Sequence, residues 1–305
     1  MHNASLYLIT VFIWGSTWLA IKYQLGVVSP ELSVAYRFGL AAVILIIFSL
    51  VRRLPLRFNI KSHGFFALQG LLLFSLNYIL VYLAEGYLTS GLVAIIFSLI
   101  IVFNVLFGTI FLGNPIRKQV MVGAVLGLAG LALVFWPELS ALSISSQKIV
   151  GMILALIATV SASLGNVVSA RNQKHELPVV QTNAYGMLYG ALFMLVLAVI
   201  RGAQLEFDTS PSYILSLFYL AIFGSVIAFG SYLKLLGRIG LDRAAYVTVL
   251  FPVIALVLST IFEDLVWGLP QLMGVVLILL GNAVVLTKKG RFNLRKRLMG
   301  DSVPN

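Results

Sequence analysis

The sequence predicts an all-α polytopic membrane protein, with ten transmembrane helices arranged as two inverted five-helix repeats. Three observations carry that expectation. Ten apolar runs follow one another with only short gaps between them. Lysine and arginine gather in alternate gaps. A glycine spacing near the end of the first half returns near the end of the second. The composition agrees, at 60% hydrophobic and 10% charged with a mean hydropathy of +1.03. Soluble domains carry about 25% charged residues, so a large soluble core is not the reading.

Taken in order, the runs lie at roughly 5–24, 32–51, 64–84, 91–112, 119–136, 149–170, 179–200, 212–233, 244–262 and 269–287, each close to the ~20 residues that span a bilayer core. Several are too long, and apolar on too many sides, to be strands. The gaps hold the chain breakers: Arg52–Pro55, Asn114-Pro115, Trp136-Pro137, Pro178 and Ser210-Pro211. The expected units are residues 1–137, residues 148–287 and a basic, mostly disordered tail at 288–305. No Lys or Arg precedes the first run, so it does not resemble a cleavable signal peptide. Cysteine is absent, which excludes a disulfide frame and thiol chemistry.

All but four of the 21 Lys and Arg fall in gaps two–three, four–five, six–seven and eight–nine or in the tail. The exceptions are Lys22, Lys148, Arg201 and the intramembrane Arg37. Because Lys and Arg favour the cytoplasmic side, both termini are expected to be cytoplasmic. The acids Glu31, Glu85, Glu138, Glu206, Asp208, Glu263 and Asp264 fall opposite. The net charge of +11 is thus a topology signal, and no nucleic-acid partner is expected.

The two halves correspond. Gly123 and Gly130 in run five match Gly274 and Gly281 in run ten, and Phe111–Asn114 sits where Ile261–Asp264 sits. The stretch 89–96 aligns with 239–246, and Pro30 answers Pro178. A five-span unit is odd-numbered, so its second copy crosses in the reverse sense. Secondary transporters commonly use this plan, with the binding site near the midplane between the halves.

These residues, with Trp14-Gly15-Ser16-Thr17, Ala35-Tyr36-Arg37-Phe38, Leu112-Gly113 and Phe251-Pro252-Val253, make a chain that resembles the drug/metabolite transporter superfamily, specifically its EamA-type members. The resemblance covers nearly all of 5–287. It departs where the family's Leu-Gly-Glu reads Leu112-Gly113-Asn114 and Phe262-Glu263-Asp264. What it implies is an inner-membrane carrier, often an exporter of amino acids or related metabolites. The cavity implied is lined by helices one, three, four, six, eight and nine.

The substrate-site candidates are Trp14, Trp18, Arg37, Asn77, Tyr78, Asn166, Tyr232 and Tyr246, with Pro252 as a gating position. Arg37 lies seven residues past Pro30, roughly 10 Å along the helix at 1.5 Å per residue. It either snorkels and pairs with carbonyls or holds a carboxylate. Trp14 and Trp18 share one face of run one, and Tyr82 lies at a similar depth; Trp18 and Tyr82 also suit an interfacial belt. Asn77, Asn104, Asn166 and Asn282 need partners in hydrocarbon, either other helices or a ligand. Thr89-Ser90 and Asp242 read as N-caps of runs four and nine. Pro252 removes one backbone hydrogen bond from run nine. Gly123/Gly127 and Gly186/Gly190 permit close helix approach within the chain or, alternatively, in a homodimer.

His2, His63 and His175 have no metal or catalytic spacing, and no Gly-Lys-Ser/Thr phosphate loop occurs. No enzyme activity, metal or cofactor is expected. The expected partners are the lipid bilayer and a small-molecule substrate. A deep arginine without a deep acid favours an amino acid or related zwitterion or anion over a cation. Cationic multidrug efflux and a membrane-embedded lipid-modifying enzyme are the alternatives.

Overall fold

The computed structural model describes residues 2–24, 26–88, 90–140, 146–262 and 268–286. Its long helices are α1 (Asn3–Lys22), α2 (Pro30–Val51), α3 (Ile60–Glu85), α4 (Ser90–Ser98 and Ile100–Leu112), α5 (Lys118–Val134), α6 (Ser146–Lys174), α7 (Val179–Ile200), α8 (Pro211–Ile239), α9 (Val247–Phe262) and α10 (Leu269–Leu286). Among the described residues there is no strand, and seven helices are long and apolar enough to cross a membrane: α2, α3, α4, α6, α7, α8 and α10. Large apolar side chains such as Leu8, Phe12, Ile47, Val125, Val199, Leu215 and Leu279 stand exposed around the bundle. A water-facing protein would not expose so continuous an apolar surface; a lipid-facing one does.

Local sequence sets the helix ends. Pro30 begins α2 and Pro211 begins α8, positions where a missing N–H costs nothing. Asn59 caps α3 by accepting from the Ser62 amide at 2.8 Å. Gly113, at φ +66°, closes α4 in the left-handed conformation that glycine tolerates. The start of α9 differs from expectation. Gly240, at φ +99°, leads into a separate one-turn helix, Leu241–Ala244, so α9 starts at Val247 rather than at 244. Asp242 consequently does not cap α9. It takes a hydrogen bond from Arg117 Nη1 at 3.2 Å. Thr89, the Ser90 side chain, Glu263-Asp264 and the tail lie outside the described residues.

Helix packing follows a pattern of exchange. α2 lies on α7, and α5 lies on α10. α1 packs against α8 and α9, while α6 packs against α3 and α4. α2 touches α8, while α7 touches α3. The small residues serve these contacts within the chain: Gly123 meets Gly281 and Val285, Gly130 meets Gly274 and Ile278, and Gly186 and Gly190 meet Phe74.

Two features escape sequence reading. Within α3, Gly70–Leu76 is π-helical, and within α8, Leu220–Ile227 is too. Each wide turn holds a buried serine that returns its hydroxyl to the carbonyl five residues back. Ser75 Oγ donates to Gly70 O at 3.0 Å, and Ser225 Oγ to Leu220 O at 3.0 Å. π-Turns frequently mark functional positions, because they leave backbone carbonyls open to other donors.

Candidate functional site

The π-turn of α8 organises a central cavity. The Gly224 carbonyl accepts Trp14 Nε1 at 3.2 Å, fixing the indole against Phe229 and Tyr232, each with its ring centroid 5.0 Å away. Ser225 Oγ accepts Arg37 Nε at 2.9 Å. Gly224 lies close against the guanidinium, since a Cβ there would stand 3.1 Å from Arg37 Nη2. The guanidinium carbon lies 5.3 Å from the Phe38 ring centre and 5.2 Å from that of Tyr78, within cation–π range. Arg37 is 4% exposed, and among the described residues Ser225 is its hydrogen-bond partner and no carboxylate pairs with it. A buried cation held by one hydroxyl and two rings leaves its Nη groups for something else.

Arg37 lines the cavity together with Trp14, Asn77, Tyr78, Asn166 and Tyr232. Six of the eight residues expected in the site therefore share one space. The volume is about 150 Å³. That is below the ~300 Å³ at which sites for drug-sized molecules begin. The remaining walls come from Phe97, Phe229 and Phe251, with Thr17 and Thr248 adding hydroxyls and Glu85 a carboxylate. Lining residues come from α1, α3, α4, α6, α8 and α9, the helices implied by the resemblance, plus Arg37 of α2.

Two candidates stand elsewhere. Tyr246 lies just before α9, fully buried, and its hydroxyl donates to Gly123 O at 2.7 Å at the α5–α10 contact. It is a packing residue there and not part of the cavity wall. The side chain of Trp18 lies outside the described residues. Pro252 sits inside α9 beside the cavity-lining Phe251. Asn77 satisfies its amide locally, donating to Leu73 O at 3.1 Å. Asn282 accepts from Tyr7 Oη at 2.7 Å and Asn104 accepts from Ser163 Oγ at 2.7 Å, both as helix–helix bonds. The aromatic walls carried no sequence signal, because one phenylalanine among many in an apolar run is unremarked.

Tyr82 also lines a second cleft of about 360 Å³, built from residues around 24–30 and 203–206, so the cavity adjoins the bundle end that carries those loops. Hydrogen bonds between helices cross the other end. Asn172 Nδ2 donates to Gln69 Oε1 at 3.1 Å and Gln69 Nε2 to Asn183 Oδ1 at 3.2 Å, all three residues buried. Arg117 bridges Ile239 O and Asp242. Arg117 and Lys174, which donates to Leu112 O, belong to the basic gaps.

This is the bundle and cavity of a membrane transporter, and the comparisons agree with that class. The EamA-like transporter family model matches residues 3–136 and 149–287, and the chain belongs to that family. It is 32% identical over 253 residues to the uncharacterized inner membrane transporter YedA of Escherichia coli (strain K12), covering 81% of this chain and 78% of YedA. It is 27% identical to the uncharacterized transporter YvbV of Bacillus subtilis (strain 168), over 94% and 92% of the two chains. Protein PagO of Salmonella typhimurium (strain LT2) is 24% identical, over 94% of this chain and 96% of its own. A solved crystal structure superimposes with a TM-score of 0.78 across 98% of this chain and 99% of that one, at 19% identity, and shows the shared fold.

Proposed function

We propose that this chain is a secondary carrier of the inner membrane that moves an amino acid, or a related zwitterion or anion, outward, by alternating access between two inverted five-helix units at 1–137 and 148–287. The observation that carries the substrate reading is Arg37: a buried guanidinium on the cavity wall that gives its Nε to Ser225 and has no carboxylate partner among the described residues. Such a group accepts a carboxylate in the two-pronged geometry that arginine provides. The phenylalanine walls suit a substrate with an apolar side chain. The packing exchange supports the inverted arrangement. Swapping α1 with α6, α3 with α8 and α4 with α9 maps the contacts onto one another, while α2–α7 and α5–α10 map onto themselves. A cavity adjoining one end and sealed at the other is what one half-cycle of alternating access requires.

A ligand screen in detergent tests the substrate class. Amino acids are expected to raise the melting temperature, because a ligand at about 100 times its Kd adds ~2.7 kcal/mol to the folded state. Stabilisation by quaternary amines alone would move the assignment to cationic efflux, the reading that Glu85 on the cavity wall favours. A second measurement tests the topology. The native chain has no cysteine, so single cysteines at Asn3 and in the 288–305 tail report orientation directly. Both are expected to resist an impermeant maleimide in intact cells. Labelling of one end from outside would remove the inverted repeat.

A further inference from the structure

Asn166 is 1% exposed and lines the cavity, yet only one end of its amide is engaged. Nδ2 donates to Tyr232 Oη at 3.1 Å, while Oδ1 is buried with no hydrogen-bond partner among the described residues. An unpaired buried acceptor is unfavourable and rare, so this atom requires a reason. Arg37 presents only donors. A carboxylate alone would satisfy Arg37 and leave Asn166 as it is. A ligand that carries both an anionic group and an N–H satisfies both.

The same amide begins a buried polar chain. Asn104 stands beside the Tyr232 hydroxyl. Its Oδ1 accepts from Ser163 Oγ at 2.7 Å, and its Nδ2 donates to Leu241 O at 3.3 Å. Leu241 opens the one-turn helix after Gly240, in the turn that Arg117 clamps through Ile239 O and Asp242. Tyr232, Asn104 and Ser163 are all buried, so water does not short-circuit these bonds. The chain runs from the cavity floor to the seal at the basic end.

We propose that Asn166 Oδ1 receives an N–H of the substrate, and that Tyr232 and Asn104 pass its occupancy to the Leu241 carbonyl, loosening the 239–244 turn. The proposal rests on the zwitterion reading above and adds the acceptor end of the site and its link to the seal. Asn166 is the binding residue; Tyr232 and Asn104 act through others and are positioning residues. Pairing Oδ1 changes the hydrogen bond that Asn166 gives Tyr232, and hence the orientation of the Asn104 amide that grips the turn. An anion without a donor engages Arg37 and does not send that signal.

The test places one cysteine at the end of the turn by Ala244→Cys, at a fully buried position in a chain with no other cysteine. The rate of N-ethylmaleimide labelling in detergent is then read with three probes: L-leucine, 4-methylpentanoate, which lacks the amine, and 3-methylbutylamine, which lacks the carboxylate. Leucine is expected to speed labelling about five-fold, the effect of one hydrogen bond on a two-state population. 4-Methylpentanoate is expected to raise the melting temperature without speeding labelling. In the Tyr232→Phe background, which keeps the ring against Trp14, leucine is expected to stabilise the protein while its effect on labelling disappears. A leucine response that survives Tyr232→Phe, or an equal response to 4-methylpentanoate, overturns the proposal. Should leucine fail to stabilise the parent protein, the zwitterion reading falls by itself. Ligand-free labelling then judges the chain. A roughly five-fold change in Tyr232→Phe or Asn104→Leu supports the link to the seal, and unchanged rates in both refute it.

Discussion

Arg37→Leu is expected to reduce turnover over KM about 100-fold at matched folded protein, while the melting temperature holds or rises. The size follows from removing one partner of a buried charge-assisted pair, which costs ~3 kcal/mol. The two signs separate function from structure. In the empty protein the guanidinium is buried with one hydroxyl and two rings for company, so its desolvation is only partly offset. Leucine relieves that cost and keeps the aliphatic contacts. Arg37→Lys is expected to fall between, because the ammonium keeps the charge and loses both the Nε bond to Ser225 and the planar fork. Liposome flux and thermal melting of the three proteins check this. A leucine variant that melts lower yet transports normally would make Arg37 a structural brace.

How much of this was legible in the sequence depends on what lipid penalises. Hydrocarbon demands a continuous apolar run for each helix, so most run boundaries fall within a few residues of the observed ones, and α7 starts and ends at 179 and 200 as expected. The same penalty exposes polar residues inside runs, which is why Arg37, Asn77 and Asn166 stand out in the sequence, and all three line one cavity. The π-turns were invisible, because Gly70–Leu76 and Leu220–Ile227 are ordinary apolar stretches. Their serines acquire meaning only from neighbours on other helices: Gly190 O for Ser75, and Arg37 for Ser225. Tyr246 stands away from the cavity for a geometric reason. The extra turn after Gly240 aims its ring at Gly123, Gly127 and Gly281, and only glycines leave room for it there.

Two further glycines of the same α5–α10 contact, Gly130 and Gly274, make the second prediction. Gly130→Ala is expected to destabilise the protein by about 1–3 kcal/mol, the usual cost of overfilling a packed contact. A Cβ on Gly130 would stand 2.6 Å from Gly274 O and 3.0 Å from Ile278 N, and backbone atoms cannot rotate aside. Gly274→Ala meets the same obstacle from the other helix, at 2.5 Å from Gly130 O. Because either methyl pries α5 from α10, the second adds less than the first, and the double variant is expected to cost less than the sum. Gly230→Ala is the opposing control. Nothing lies within 4 Å of its added Cβ, so the helix gains roughly 0.5–1 kcal/mol from replacing glycine with alanine. Chemical denaturation in detergent, with chromatography to follow association, measures all four. If the stripe instead held two copies together, Gly130→Ala would shift the dimer equilibrium and leave the monomer's unfolding midpoint unchanged. Close approach within one chain requires the midpoint itself to fall, with α5 and α10 bearing the loss.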